Sequence, residues 1–505
     1  MPTRWETFPV KLEGGWRTDL GRLDHGVQAP GSASILDNFE PSVDGGYRKI
    51  QGYAKFSNSD VDVAQVGNVL GVIVVELDTA LARKGDKYYT SSGTSWTAKL
   101  TAPTGGANRI RFDNYNFNGT EKFVVVDGVE DPAFYSVTAG TMAYDTSAPA
   151  DVTGSHIVKV FKNSIFFAKG NLLTFTAPYT DTDYNTGNGA GTINVGHDIT
   201  GLIVFRNQLI IFTTDSILYL TGNTSEDFQL DNITDKTGCL SPDTIQEVGG
   251  DIMYLGPDGI RWLSATQRNN DFGLERASAN IQSKALSIIT SGATYASLPV
   301  RSKNQYRLFT YIESKPSSLS EGLIATKFSD QGTTNIAWSR TLGIKVYSAH
   351  SRQFPDREVI LFTSEDGYVY RMDFGNSFDG TPIKAVFETP YMPINDPRIR
   401  KTIYKHTLYL KTQGPFSFTV NLRFDYNPSG SIQPPGFTLA SSTGTGIWGQ
   451  STWGSFTYSK SVSDTFVNQT VGSGFVVAIR YEDNSTNPPF TLDYVILEYG
   501  TNERR

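Results

Sequence analysis

One stretch of the sequence has the residue types of a calcium-binding loop. Asp181, Asp183 and Asn185 alternate along the chain, as oxygen ligands do at the start of an EF-hand loop. That loop also needs glycine at its sixth position and glutamate at its twelfth, and this chain has threonine at both. Asp183-Tyr184 is moreover one of several places where an aspartate is followed by an aromatic residue at a regular interval. We therefore predict a repeated turn, with the aspartate capping backbone N–H groups and the aromatic ring packing between sheets.

Other reactive residues give little indication of catalysis. The five histidines lie far apart, without the spacing of a metal-binding motif. The carboxylates show no pairing of the kind that a glycosidase needs. The single cysteine, Cys239, can form no intrachain disulfide, and a small buried apolar role is its simplest interpretation. The sequence thus predicts no catalytic residue, no metal, no cofactor and no enzyme.

Two groups of residues are candidates for binding. A basic stretch could contact phosphate or a neighbouring subunit, although a solvated strand face is the simpler interpretation: Arg398, Arg400, Lys401 and Lys405. Two tryptophans lie in a loop rich in glycine, serine and threonine at 428–455, namely Trp448 and Trp453. They could form a tip contact for a receptor or a sugar, or could only anchor the loop.

The centre of the chain is repetitive. An aspartate followed by an aromatic residue occurs three times, at intervals of 44 residues: Asp183-Tyr184, Asp227-Phe228 and Asp271-Phe272. Phe161-Lys162-Asn163 recurs 44 residues later as Phe205-Arg206-Asn207. A period of roughly 40 to 50 residues in strand-rich sequence is typical of a β-propeller with one four-stranded sheet per repeat. We expect about seven blades over 56–390, with six or eight as alternatives.

Local patterns predict the elements around this repeat. The apolar runs at 69–77, 122–126, 165–168, 209–212, 252–255, 307–312 and 359–363 are candidate inner strands, several of them followed by Asp-Gly hairpin turns. Helical spacing at 275–289 predicts one helix inserted between blades. Alternating polarity over 391–505 predicts a C-terminal β-sandwich. Residues 1–55 contain paired glycines and little that could form a core, so we expect an extended segment that packs on the propeller or on a neighbouring subunit.

Composition limits the possible functions. The chain has 505 residues, of which 38% are hydrophobic and 12% aromatic, enough for two or three folded domains. Its 51 acidic and 44 basic residues give a net charge of −7, whereas proteins that grip nucleic acid are usually basic. The first ten residues lack an apolar segment, so we expect no signal peptide. The apolar run at 69–77 is too short to span a bilayer, so we expect no membrane anchor. Because the chain has only one cysteine, we expect folding in a reducing cytosol.

The N-terminal segment 1–55 resembles the start of the tail nozzle proteins of short-tailed bacteriophages, also called tail tubular or packaged-DNA stabilisation proteins. The resemblance rests on turn glycines and aromatic residues: Gly14-Gly15-Trp16, Asn38 with Pro41, and Gly45-Gly46-Tyr47-Arg48-Lys49 before Gly52. The segments 248–252 and 256–260 are similar to a blade of that family, and 475–481 with 492–505 are similar to its ending.

The resemblance implies a structural virion protein without enzymatic activity. It would form a homo-oligomeric ring of six subunits below the phage portal and adaptor, near the tail fibres. The ring would extend the channel for double-stranded DNA without sequence specificity, retain the packaged genome and open for ejection. Such a protein is made in the host cytoplasm and located in the virion. An acidic balance suits a channel that must release DNA. The alternatives are a carbohydrate-binding or carbohydrate-cleaving propeller, such as a receptor-binding tail part, and a cellular scaffold propeller.

Overall fold

The computed structural model describes residues 5–106, 108–265, 272–330, 333–427, 432–441 and 463–501. An N-terminal segment of short elements precedes the repeats. Its elements are β1 (Glu6–Lys11), α1 (Arg22–Gln28), β2 (Ile35–Asp37), β3 (Phe39–Pro41), β4 (Tyr47–Lys49) and β5 (Tyr53–Lys55).

The centre of the chain consists of successive antiparallel sheets. The first is β6 (Val69–Glu76), β7 (Thr79–Lys84), β8 (Lys87–Ser91) and β9 (Trp96–Thr101). The second is β10 (Arg111–Phe117), β11 (Thr120–Val126), β12 (Ala133–Ser136) and β13 (Thr141–Tyr144). The third is β14 (Ile157–Phe161), β15 (Ser164–Lys169), β16 (Leu172–Phe175) and β17 (Gly191–Asn194). The fourth is β18 (Ile199–Phe205), β19 (Gln208–Thr213), β20 (Ile217–Thr221) and β21 (Gln229–Thr234).

The fifth sheet is β22 (Gln246–Val248), β23 (Asp251–Gly256), β24 (Gly259–Ala265) and β25 (Phe272–Arg276). A meander follows, with β26 (Thr294–Val300), β27 (Gln305–Tyr311), β28 (Glu321–Asp330) and β29 (Thr333–Leu342). The sixth four-stranded sheet is β30 (Ser348–Gln353), β31 (Glu358–Thr363) and β32 (Val369–Met372), completed by β5. Short 3₁₀ turns lie at Thr186–Asn188, Pro242–Thr244, Ala279–Ile281, Arg301–Lys303 and Ser317–Leu319.

These six four-stranded sheets are arranged as the blades of a β-propeller. Strand β5 of the N-terminal segment pairs antiparallel with β32, so the start of the chain completes the last sheet. Strand β5, which the sequence analysis assigned to the segment 1–55, thus lies within the propeller. The meander β26–β29 has the same strand order as the blades, but its last strand continues through β2 into a nine-stranded sheet.

The position of the apolar runs corrects the prediction of inner strands. Except for β6, these runs form the second strand of each four-strand unit, not the first. In β15, for example, Ile165, Phe166 and Phe167 are fully buried because the strand is covered on both faces. The first strands β10, β14 and β30 are more polar, and residues of all three line a central space.

The predicted Asp-Gly turns are hairpin turns in the structure. Gly259 and Gly367, each after an aspartate, adopt positive φ angles of 124° and 82° between paired strands. The repeated Lys162-Asn163 and Arg206-Asn207 pairs adopt positive φ at both positions and close two-residue hairpins. Positive φ at both central residues defines the type I′ turn, whose twist suits paired strands.

The inserted helix is shorter than predicted, and it is accompanied by a second helix. Residues up to Arg276 belong to β25, which pairs with β24, and helix α2 covers only Gln282–Ser287. The strand pairing therefore overrides the helical spacing at the start of 275–289. Helix α1 in the N-terminal segment was not predicted, because its seven residues include Gly26 and show little apolar periodicity.

The C-terminal strands form two larger sheets. They are β33 (Ile383–Glu388), β34 (Lys401–Thr412), β35 (Phe416–Phe424), β36 (Phe437–Ser441), β37 (Ser463–Gly474), β38 (Val477–Ser485) and β39 (Phe490–Thr501). A six-stranded sheet contains β3, β4, β39, β34 and β37, with β1 on β39. The nine-stranded sheet runs from β29 through β2, β33, β38 and β35 to β36. Buried residues of both sheets belong to one hydrophobic cluster, for example Leu408 and Leu497 with Val420 and Ile479.

Candidate functional site

A cavity of about 540 Å³ lies at the centre of the propeller. Residues of β10, β14, β18, β26 and β30, and of the turn that leads into β22, line it. We call it the central cavity. Its size is in the range of small-molecule pockets, roughly 300 to 1,000 Å³.

One side of the central cavity holds an ion cluster around Asp243. Arg111 donates Nε–H and Nη2–H bonds to the two carboxylate oxygens, at 3.1 and 2.8 Å. The Arg109 guanidinium lies 3.4 Å from Oδ2 of the same carboxylate. Burial acts to raise the pKa of Asp243, but the charges of Arg109 and Arg111 hold that pKa below its ordinary value. The two arginines and one aspartate of this cluster carry a net charge of +1.

Three further cations line the cavity. Lys159 lies 3.3 Å from Asp113. Arg352 donates to Glu121 at 2.6 Å and to the carbonyl oxygen of Val75. Arg301 lies 3.6 Å from a carboxylate oxygen of Glu358, and its side chain is 52% exposed. Each of these cations has one carboxylate partner, and each keeps N–H groups directed away from it, because an ammonium has three donors and a guanidinium five.

His350 lies among these three cations. Its Nδ1 accepts a hydrogen bond from the backbone N–H of Val74 at 2.9 Å. A ring nitrogen that accepts cannot carry a proton, so the remaining proton is on Nε2. Burial, followed by the charges of Arg352, Arg301 and Lys159, lowers the pKa of His350 to about 3. The imidazole is therefore a neutral donor at physiological pH.

This arrangement can hold an anion. Nε2 of His350 has no hydrogen-bond partner among the described residues, and the buried Nε of Arg109 likewise has none. No group of three or more His, Cys, Asp or Glu side chains with metal-binding geometry occurs within the described part of the chain.

The predicted basic stretch does not form one face. Arg398 is 88% exposed and pairs with Asp396, and Arg400 donates to Ser473 at the surface. Lys401 is buried, and its ammonium donates to the carbonyl oxygens of Pro393 and Asp396. Lys405 pairs with Glu498 at 2.8 Å. Two of the four residues are thus accessible, because backbone carbonyl oxygens bind the Lys401 ammonium and Glu498 pairs with Lys405.

The two predicted tip residues, Trp448 and Trp453, lie outside the described residues, as does Asp271 of the third repeat mark. The described residues therefore provide no test of the alternative that this chain binds or cleaves carbohydrate.

The first two repeat marks are turns, as predicted. Asp183 accepts the backbone N–H of Asn185, and Asp227 accepts those of Asn223 and Thr224. These bonds lower the pKa of both aspartates. Each mark lies before the outermost strand of its sheet. Tyr184 and Phe228 pack into the clusters shared with the preceding sheet, as expected.

Cys239 has the predicted buried role. It is 2% exposed, and burial raises the pKa of its thiol to about 11.

Sequence reasoning missed the central cavity. Its charged residues lie in the first strands, just before the apolar runs, as with Arg111, Lys159 and Arg352. The available signal was the presence of charged residues in the strand that precedes each apolar run. Which of those side chains point inward depends on register, which spacing alone does not give.

Comparisons with known proteins assign no family to this chain. No protein-family model and no curated protein matches the sequence. The extracellular domain of a one-component system from B. thetaiotaomicron is similar over 73% of this chain and 44% of that one, at 10% identity and a TM-score of 0.41. A structure described as the extracellular domain of a hybrid two-component system from the same organism matches at 11% identity, with the same coverage and TM-score. BBS1N, solved in complex with ARL6DN, matches over 64% of this chain and 96% of its own, at 9% identity and a TM-score of 0.38.

The matched region spans less than half of the first two structures, and these values carry no inference about function. Among the helices of the described residues, none has the length and apolar character needed to cross a membrane.

Proposed function

We propose that this chain is a subunit of a bacteriophage tail nozzle: a structural virion protein that forms a ring of six, extends the DNA channel below the portal and adaptor, and retains the genome until ejection. The observation that carries the proposal is the part played by the residues on which the nozzle resemblance rests. These residues join the propeller to the C-terminal sheets.

Gly15 and Trp16 form the first contact of this joint. The Gly15 amide donates to the Tyr47 hydroxyl at 3.1 Å, and the Trp16 amide donates to the carbonyl oxygen of Trp338 at 2.7 Å. Gly15 has a φ of +70°, and a Cβ there would lie 2.6 Å from the backbone nitrogen of Trp338. Only glycine allows this close approach of two backbones.

Asn38 forms the second contact. Its side-chain amide donates to the carbonyl oxygens of Leu342 and Lys384, at 3.0 and 2.9 Å, and its Oδ1 accepts the Leu342 amide. Leu342 ends the propeller meander and Lys384 belongs to β33. One side chain of the resemblance motif thus bonds to both parts of the chain.

Two buried ionic contacts complete the joint. Glu40 accepts from Lys303 at 2.8 Å and from Arg307 at 3.1 Å, both in the propeller. Lys49 pairs with Asp483 of β38 at 2.7 Å, and both side chains are at most 1% exposed.

The resemblance implies a ring that retains packaged DNA, and we infer that its subunits need a rigid connection between the propeller and the C-terminal sheets. A joint of shared strands and buried ion pairs supplies that rigidity. Within this proposal we count the meander β26–β29 as a seventh blade and the two facing C-terminal sheets as a β-sandwich. The exposed Arg398 and Arg400 are then available to a neighbouring subunit or to DNA.

The test is electron microscopy of the purified chain with analytical ultracentrifugation over a wide concentration range, alone and with the adaptor encoded beside it. We expect rings with an axial channel. A particle that stays monomeric under both conditions contradicts the proposal. A portal or terminase gene next to this gene supports it, and a non-viral neighbourhood opposes it.

A further inference from the structure

We propose that the central cavity binds a small phosphate-bearing anion, held by Lys159, Arg301, Arg352 and the Nε2–H of His350. This site is independent of ring formation and of the nozzle proposal.

The charges around the cavity favour an anion. Five cations line it: Arg109, Arg111, Lys159, Arg301 and Arg352. Four carboxylates pair with them: Asp113, Asp243, Glu121 and Glu358. The balance is one positive charge in a recess walled by protein, where charge interactions are stronger than in water.

The surplus charge belongs to the Asp243 cluster, where Arg109 and Arg111 share one carboxylate. Lys159, Arg301 and Arg352 each have one carboxylate partner, and the pair of Arg352 with Glu121 is the shortest of the three, at 2.6 Å. The ion pairs of Lys159 and Arg301 are longer, at 3.3 and 3.6 Å, and leave donors free for a ligand. The side chains of Lys159, Arg301 and Arg352 are 30%, 52% and 24% exposed, so a solute can reach them.

His350 supplies a fixed neutral donor beside these cations. The Val74 amide occupies Nδ1, which fixes the tautomer and leaves the Nε2–H without a partner among the described residues. The ring of Phe112, edge-to-face at a centroid distance of 4.8 Å, fixes the imidazole plane. A ligand acceptor would give this Nε2–H the hydrogen bond that the described residues do not supply.

The geometry of the donors favours phosphate over carboxylate. They come from β14, from the turn after β26 and from β30, so they approach from different directions. A phosphate group offers several acceptor oxygens in a tetrahedral arrangement, whereas a carboxylate offers two in a plane. Lysine and arginine donate charge-assisted bonds to phosphate.

The test is isothermal titration calorimetry of the full chain with pyrophosphate at constant ionic strength. We expect saturable binding of one pyrophosphate per chain. Arg301→Gln and Lys159→Gln should each weaken it roughly tenfold, the value of one charge-assisted hydrogen bond.

Arg357→Gln is the matched control. Arg357 is 53% exposed and lies 3.7 Å from Asp78, which closely parallels Arg301 and Glu358, but it does not line the cavity. The affinity of the Arg357→Gln variant for pyrophosphate should stay within about twofold of wild type. Binding that is absent at about 10 mM pyrophosphate, or that Arg357→Gln weakens as much as Arg301→Gln, overturns the proposal. Tighter binding of citrate than of pyrophosphate overturns the assignment to phosphate.

Discussion

Replacing Lys49 by methionine should loosen the joint between the N-terminal segment and the C-terminal sheets. The Lys49 ammonium donates to Asp483 Oδ2 at 2.7 Å and to the carbonyl oxygens of Ser485 and Asn487, at 3.1 and 3.3 Å. Oδ1 of Asp483 is buried without a partner. In Lys49→Met, neither carboxylate oxygen keeps a charged donor. Breaking a buried pair on one side costs about 3 to 5 kcal/mol.

Hydrogen–deuterium exchange of peptides that cover β4 and β38 measures this loss locally. An opening free energy lower by about 3 kcal/mol corresponds to exchange faster by roughly a hundredfold, at 1.36 kcal/mol per factor of ten. The double variant Lys49→Met/Asp483→Leu should recover most of the protection, because no uncompensated charge stays buried. Glu13→Gln is the control, since its pair with Lys11 is 60% exposed on both sides and should contribute within about 0.5 kcal/mol. A single variant that exchanges like wild type, or a double variant as labile as the single, refutes this reasoning.

Three further outcomes can be checked on the isolated chain. Gly15→Ala should cost roughly 2 to 3 kcal/mol in chemical denaturation, because a methyl group would meet the Trp338 backbone. Gly14→Ala should cost about 1 kcal/mol, because its methyl group would lie in ordinary contact with Ser32 Cβ, at 3.4 Å, and equal losses contradict this explanation. Burial lowers the pKa of His406 from 6.5 to about 4, so its contribution is complete above pH 6.5 and falls as the pH falls toward 4. Unfolding free energy should therefore drop by about 2 kcal/mol more between pH 7 and 5 in wild type than in His406→Gln, and parallel profiles would exclude His406 as the cause. Iodoacetamide should alkylate native Cys239 at least ~100-fold more slowly than the unfolded chain, and fast labelling of folded protein would contradict its burial.

The sequence predicts the propeller because its regular features are local. The hairpin at Lys162-Asn163 and the turn at Asp227 depend on residues only a few positions apart, so they recur visibly with the repeat. Strand β15 is a continuous apolar run because both its faces are covered.

The parts that sequence reasoning missed depend on distant partners. Strand β5 belongs to the last blade only because Tyr53 pairs with Met372, more than 300 residues away. The helix predicted from Glu275 is shortened by pairing with Trp262 in the neighbouring strand. The burial of Lys401 depends on carbonyl groups at a chain bend. No local pattern carries such information.

The central cavity shows the same limit. Arg111 and Asp243 are 132 residues apart, and their two-bond contact forms only when successive sheets close around the axis. The sequence shows that the first strands contain charged residues, but it does not show that these residues meet in one cavity.

The most direct test of the central claim is cryo-electron microscopy of purified phage particles produced by the genome that encodes this chain. Our account predicts six copies of this propeller and its C-terminal sheets in a ring below the adaptor, around an axial DNA channel. Complete, tailed particles in which that position is occupied by a different protein would contradict it.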